Sequence, residues 1–395
     1  MTHFSIDAAA IANDSALAAE RARSGAGTAL AARLRSGEAL DDVSIATLLL
    51  AKDLSADELI GIARARRPAG PPQIETFSPL YITNECDGEC LMCGMRSNNR
   101  SLKRETADAG TVEEQLDILH RRGIRAVAVL SGEYRHGARR KTMLERAAAA
   151  TRAALERGFS HVLINVGSLE ADEYAGMLAG IDRNAEGCIA PHVTMCTFQE
   201  TYDPTVYGKF MGSTPDNPRC GYERRLQNFD RAAEAGMRSV NPGILLGLNH
   251  DLAFELITLC AHVRHLTELG LQVYISLPRL RKASGAEHRR GVSDDDLARV
   301  VALLATRFPA AKVVISTREA REIQQRLLPI IGVLTAGSPG VAPYDEAGAR
   351  FEIEASQFEV VDQRPFEEIL GDCLAIGATI DGYAPVQATS PSPAF

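Results

Sequence analysis

Three of the chain's eight cysteines, Cys86, Cys90 and Cys93, fall within the stretch YITNECDGECLMCGMRSNN, residues 81–99. The Cys-x3-Cys-x2-Cys spacing lets one short loop wrap three thiolates around a compact inorganic core. A fully ligated iron–sulfur cluster takes four thiolates, and no fourth cysteine is near in sequence. A 4Fe-4S cluster held here therefore keeps one iron open to a substrate or cofactor. The alternative is structural zinc, which wants four closed ligands and commonly joins a Cys pair to a second pair or to histidines. No second pair exists. Cys188, Cys196, Cys220, Cys260 and Cys373 are scattered through apolar or mixed segments and read as buried, inert thiols.

The cysteine loop needs a scaffold, and the hydrophobic pattern supplies one. Residues 1–73 read as a helical extension in which Ser55 and Glu58 have capping-box spacing, and RRPAGPPQ (66–73) ends it. From 74 to 340 a unit repeats: a short β-branched run, a polar or Gly-rich end, then an amphipathic helix. The expected strands are 78–83, 126–131, 161–166, 192–196, 239–247, 271–277, 312–316 and 331–335. A helix over 111–123 has Thr111 and Glu114 at capping-box spacing. Eight alternating units predict an α/β fold, a closed TIM-type (β/α)8 barrel. An open doubly wound sheet is the competitor, and it is disfavoured by the lack of a G-x-G-x-x-G or P-loop motif after a strand. Residues 341–395 form a C-terminal extension, with an extended stretch and one helix packed on the barrel and a disordered end, APVQATSPSPAF.

In such a barrel the chemistry collects at the C-terminal ends of the strands, which is where the cysteine loop falls. A formal net charge of −8 argues against a broad nucleic-acid-binding surface. The basic run RHGARRK (135–141) reads as a solvated loop and helix start. No segment approaches the ~20 apolar residues that span a bilayer, so a cytoplasmic protein without a membrane partner is expected.

The cysteine motif after a first barrel strand resembles that of the radical S-adenosylmethionine (SAM) superfamily. The resemblance implies that the amino and carboxylate groups of SAM chelate the open iron, and that an electron from the cluster yields a 5′-deoxyadenosyl radical. It implies SAM contacts from Gly132 and Glu133 of SGEY, Asn165 of NVGS, Glu200 of FQETY and Arg225, with Glu200 facing the ammonium and Arg225 the carboxylate. Met92 stands where many members carry an aromatic residue. An external electron donor such as flavodoxin or ferredoxin is implied as a partner.

The resemblance narrows to the aromatic amino acid lyases of that superfamily, from about Leu80 to Arg364, on LYITNECDGECLMCGMR, FQETYD, VNPGILLGL, LPRLR, STRE and SPGVAPY…SQFEVVDQR. CGMR, VTMCTFQETYD, KFMG and VNPGILLGL look most like the tryptophan-cleaving type. The implied substrate is then L-tryptophan: loss of an amino hydrogen, Cα–carboxyl scission and carboxyl migration give 3-methyl-2-indolic acid. The alternative is L-tyrosine, cut at Cα–Cβ to p-cresol and dehydroglycine. Arg318 of STRE, just past the seventh strand, suits the substrate carboxylate through a bidentate fork; its plainer reading is a solvated arginine at a helix start. Tyr81 and Thr335 offer hydroxyls to the amino end. A non-catalytic iron–sulfur or zinc protein is the remaining possibility.

Overall fold

The computed structural model describes residues 3–182, 190–286 and 291–385. Cys188 and residues 386–395 of the expected disordered end lie outside them, while Ala384, where that end was expected to begin, donates its N–H to Gly123 O. Ten parallel strands form one curled sheet: β1 (Gln73–Glu75), β2 (Ser78–Tyr81), β3 (Ala126–Leu130), β4 (His161–Asn165), β5 (Val193–Glu200), β6 (Ser239–Ile244), β7 (Gln272–Ser276), β8 (Lys312–Ser316), β9 (Val333–Thr335) and β10 (Thr379–Asp381). Their order is β10-β1-β9-β8-β7-β6-β5-β4-β3-β2. Strands β2–β9 are the eight expected from the sequence, in the expected order, and the fold is the TIM-type barrel.

The barrel is curled with a seam rather than a closed ladder. One extended run pairs first with β9, through Glu75 opposite Val333, and then with β3, from Ser78 onward. That switch splits the first strand into β1 and β2 and leaves β2 at the sheet edge, where a bridge from Tyr81 to Val341 spans the gap. Strand β5 runs on to Glu200, past its expected end, with a register shift between Phe198 and Glu200. Such a bulge re-aims the side chains that follow it.

Helices on the outside hold this sheet by burying their apolar faces. The N-terminal helices Ala8–Arg23, Asp42–Leu50 and Ala56–Ala65 pack on the barrel helices Leu252–Glu268 and Asp294–Arg307. Ser55 and Glu58 form the expected capping box. Buried Arg299 donates to the carbonyls of Leu48, Leu49, Ala51 and Leu54, satisfying the end of helix Asp42–Leu50. The expected box at Thr111 is not formed. That helix starts at Ala109, because Asp108 accepts the Thr111 N–H at 2.8 Å and caps it three residues before the expected cap. Arg140, read as solvated, is buried and donates to Glu173, Tyr134 O and Ser168 O.

The N-terminal end of the barrel is closed by polar groups. Glu75 accepts from His161, from Tyr274 at 2.7 Å and from Lys312 at 2.8 Å, and His161 continues to Thr194 and Ser239. Above this network lies an apolar layer of Phe77, Ala128, Leu163, Tyr274, Val314 and Val333. The barrel is therefore open toward chemistry only at the C-terminal ends of its strands.

Candidate active site

A cavity of about 200 Å³ occupies that C-terminal end, and Cys86, Cys90 and Cys93 all line it. Their loop leaves β2 and is shaped by two internal fasteners. Asn84 donates to Lys103 O and Ala355 O, and Arg104 donates to the carbonyls of Asn84, Met95 and Arg96. A Cβ placed on Gly88 would stand 3.2 Å from the Cys86 sulfur and 3.7 Å from that of Cys90, so both thiols converge on this glycine. The backbone N–H groups of Gly88 and Glu133 each point at Cys86 Sγ at 3.3 Å. Such N–H···S donors stabilise thiolate ligands. Burial pushes all three thiols up to about 11 in the absence of a bound cation, the condition a metal reverses.

These residues fit a 4Fe-4S cluster. Among the described residues no three side chains of metal-ligand type converge as one ion would require. A cubane does not need that, because its cysteines bind different irons, so the donor set favours it over a single structural zinc.

Beside the cysteines the expected SAM residues gather, with changed assignments. Gly132 is needed by the protein itself: a Cβ there would lie 2.1 Å from Glu85 O and 2.5 Å from Cys86 Cβ, so the glycine admits the cysteine loop. Glu133 is buried, accepts Ser168 N–H at 3.0 Å and pairs with Arg225 at 2.9 Å. Burial alone would raise its pKa, but Arg225 and Arg219 hold the carboxyl below its usual range. Arg225 also donates to Phe198 O at 2.6 Å, so its fork is largely engaged. The structure brings Arg225 to the cavity wall as a partner of Glu133 and not as a free carboxylate clamp.

The guanidinium that sequence reasoning missed is Arg219. It donates to Glu200 at 2.8 Å, and its buried Nε stands 3.9 Å from Glu133 and, among the described residues, has no hydrogen-bond partner. Burial opposes its charge, yet Cys90, Glu200 and Glu133 raise its pKa well above the ordinary value. Nothing in NPRCGYERR separates this arginine from Arg224 or Arg225. Glu200 reaches the pair from a left-handed backbone with φ 70°, set by the bulge in β5. Asn165 lines the cavity at the end of β4, and Met92 packs beside the cysteines. Cys196, read as inert, also lines the cavity, while Cys220 is exposed.

On the opposite wall stand Arg318, Tyr81 and Thr335. Arg318 follows β8 in a turn, its guanidinium carbon 3.3 Å from the centre of the Phe358 ring. Among the described residues its one side-chain hydrogen bond is a long one, to Arg279 O at 3.5 Å. Burial lowers its pKa to about 10, which keeps it charged at neutral pH. The neighbouring Glu319 accepts through Oε2 from Arg279 and Arg281, and among the described residues Arg318 forms no ion pair with a carboxylate. Tyr81 donates to Gln357 Oε1 at 2.6 Å, and burial raises its phenol above the ordinary range. Thr335 ends β9 with its side chain at the cavity wall. Gln357 and Phe358 also line it, although no site role was expected for SQFEVV.

No family model matches the chain. Two curated relatives, the 2-iminoacetate synthases of Salmonella typhimurium and Escherichia coli, are 25% and 24% identical over 77% and 79% of this chain and 76% and 77% of their own lengths. Among solved structures, the FeFe-hydrogenase maturase HydG from Carboxydothermus hydrogenoformans aligns with a TM-score of 0.81 at 23% identity, covering 95% of this chain and 84% of that one. Another structure of HydG gives 0.77 at 26% identity over 94% and 79%. Methylornithine synthase (PylB) gives 0.68 at 16% over 89% and 97%. No helix of the described residues is long and apolar enough to cross a membrane. With three cysteines presented at the mouth of this barrel, these likenesses support an enzyme of the radical SAM carbon–carbon lyase type.

Proposed function

We propose that the protein cleaves a carbon–carbon bond of an aromatic L-amino acid whose carboxylate is held by Arg318. The observation that carries this reading is a half-buried guanidinium at the cavity wall that, among the described residues, forms no ion pair with a carboxylate. A charge left in that condition is costly unless a ligand pairs with it, and the planar fork suits a carboxylate. When bound, the cluster and SAM supply the electron and the hydrogen-abstracting radical. The chain's own residues bind, orient and exclude water. Tyr81 and Thr335 place hydroxyls beside the clamp for the substrate's amino end, and Glu200, Arg219 and Glu133 form the charged wall toward SAM. Phe77, Ala128, Leu163 and Val314 give the aromatic ring an apolar recess.

L-Tyrosine cut at Cα–Cβ is the substrate that the curated relatives favour, since 2-iminoacetate is the fragment that keeps the amine and carboxylate when that bond breaks. L-Tryptophan is the second reading, supported by the likeness of VTMCTFQETYD, KFMG and VNPGILLGL to the tryptophan-cleaving type. Anaerobic incubation with SAM, a reductant and each amino acid, followed by mass spectrometry, separates them. p-Cresol supports tyrosine, and 3-methyl-2-indolic acid supports tryptophan. Absence of both, with SAM cleavage indifferent to either amino acid, removes the lyase reading.

A further inference from the structure

We propose that Phe358, carried by the C-terminal segment outside the barrel, is a positioning residue: its ring sets the plane of the Arg318 guanidinium and turns the N–H edge toward the substrate carboxylate. This rests on Arg318 being the substrate clamp.

A guanidinium presents its donors in one plane, and an aromatic ring against its face takes none of them. Phe358 stacks in this way, with the guanidinium carbon 3.3 Å from the ring centre. In the plane, among the described residues, only Nη1 is engaged, by the distant Arg279 carbonyl. The ring thus stabilises the cation through its face while leaving a fork for a carboxylate. An arginine with several free rotors would otherwise sample many orientations in an apolar cavity.

The segment that carries the ring is tied to the parts that a substrate must meet. Gln357 O accepts the Gly94 N–H at 3.0 Å, and the Gln357 side chain accepts from Tyr81 and donates to Cys93 Sγ at 3.6 Å. On the other side Glu359 N–H donates to Lys282 O, and the N–H groups of Val361 and Asp362 both donate to Thr317 O, next to Arg318. Asp362 is held in turn by Arg364 and Gln324. Phe358 is therefore fixed from the cysteine loop, from β2 and from the turns after β7 and β8. These fasteners reach from the loop after β2, at the barrel's seam, to the turn after β8 that carries the clamp.

The test compares Phe358→Leu with Phe358→Tyr, which keeps the aromatic face. Iron content, cluster absorption and SAM cleavage without amino acid report an intact fold and are expected to match the unaltered protein in both. For Phe358→Leu the expected result is a KM for the amino acid about tenfold higher, an unchanged KM for SAM, and more 5′-deoxyadenosine per product formed. Phe358→Tyr is expected to restore all three. A Phe358→Leu protein with normal KM and coupling overturns the proposal, as does a Phe358→Tyr protein equally impaired. If the unaltered protein turns over no aromatic amino acid, the lyase reading falls separately. Labelling of Arg318 by phenylglyoxal then decides the role of Phe358: faster labelling only in Phe358→Leu supports it, and equal rates in all three proteins overturn it.

Discussion

Arg219 meets Glu200 at 2.8 Å in the cavity wall, beside Cys90 and 3.9 Å from Glu133. The two residues come from opposite ends of an excursion that leaves β5 and returns over the cysteine loop. Glu200 sits in the left-handed backbone region, which few non-glycine residues occupy without surrounding structure to hold them there. Buried Glu255 supplies that hold, accepting from Thr201 at 2.5 Å and from Tyr202 N–H at 2.9 Å.

Arg219→Met should therefore weaken SAM more than Arg225→Met does. The first removes the cation whose Nε is unpartnered at the cavity, while the second removes a residue already committed to Glu133 and Phe198 O. The expected loss at Arg219 is about 10- to 100-fold in SAM affinity, as for a buried charge-assisted contact. Equilibrium dialysis with SAM checks the order, and a larger loss at Arg225 would contradict it.

For the cluster, alanine at Cys86, Cys90 or Cys93 should abolish iron–sulfur absorption and SAM cleavage, since two thiolates do not hold the cubane. Alanine at Cys260 or Cys373, both buried away from the cavity, should leave the absorption in place. Reconstitution with iron and sulfide under anaerobic conditions measures this directly.

Arg318→Lys keeps the charge and loses both the fork and the flat face that stacks on Phe358. The expected outcome is 5′-deoxyadenosine formed without amino acid product, with coupled turnover down by about 100-fold. Product ratios by mass spectrometry test it, and a variant with unchanged ratio and rate would place the carboxylate elsewhere.

The barrel floor predicts acid sensitivity. Burial alone would raise the pKa of Glu75, but His161 and Lys312 hold it down at about 2, against an ordinary value of 4.5. A carboxyl with a depressed folded pKa contributes stability that is full above 4.5 and is lost as pH falls toward 2. Thermal melts of the unaltered protein and Glu75→Gln should therefore differ at pH 6 and converge as pH is lowered through that window. A gap that widens with acid would reverse the sign.

Arg299→Met should destabilise the whole chain by about 3 kcal/mol, because four buried carbonyls at the end of helix Asp42–Leu50 lose their donor. Cluster absorption at low temperature should survive, since Arg299 lies on the outer side of the barrel. Denaturant unfolding gives the number.

Much of the site was legible where chemistry and local pattern coincide. Cys86, Cys90 and Cys93 are close in sequence, and a loop of that length keeps them close in space. Arg318, Thr335, Tyr81 and Asn165 were named from the family resemblance together with their places along the expected strands, and parallel strands bring their C-terminal ends to one mouth. Arg219 and Phe358 were not legible, because each reaches the cavity through a long connection whose path depends on what it packs against.

The sequence by itself determined the alternation of strands and helices, the order of the strands and the three-thiol loop, since each follows from periodicity or spacing within a few residues. Tertiary structure alone decided which arginine keeps a buried donor without a hydrogen bond in the cavity wall, why Gly132 must lack a side chain, and how the seam is bridged. Those outcomes rest on contacts between residues far apart in the chain: Arg225 is claimed by Glu133 across 92 positions, and Tyr81 by Gln357 across 276. Pairings at that range are fixed by the packing of the folded barrel, which no local pattern encodes.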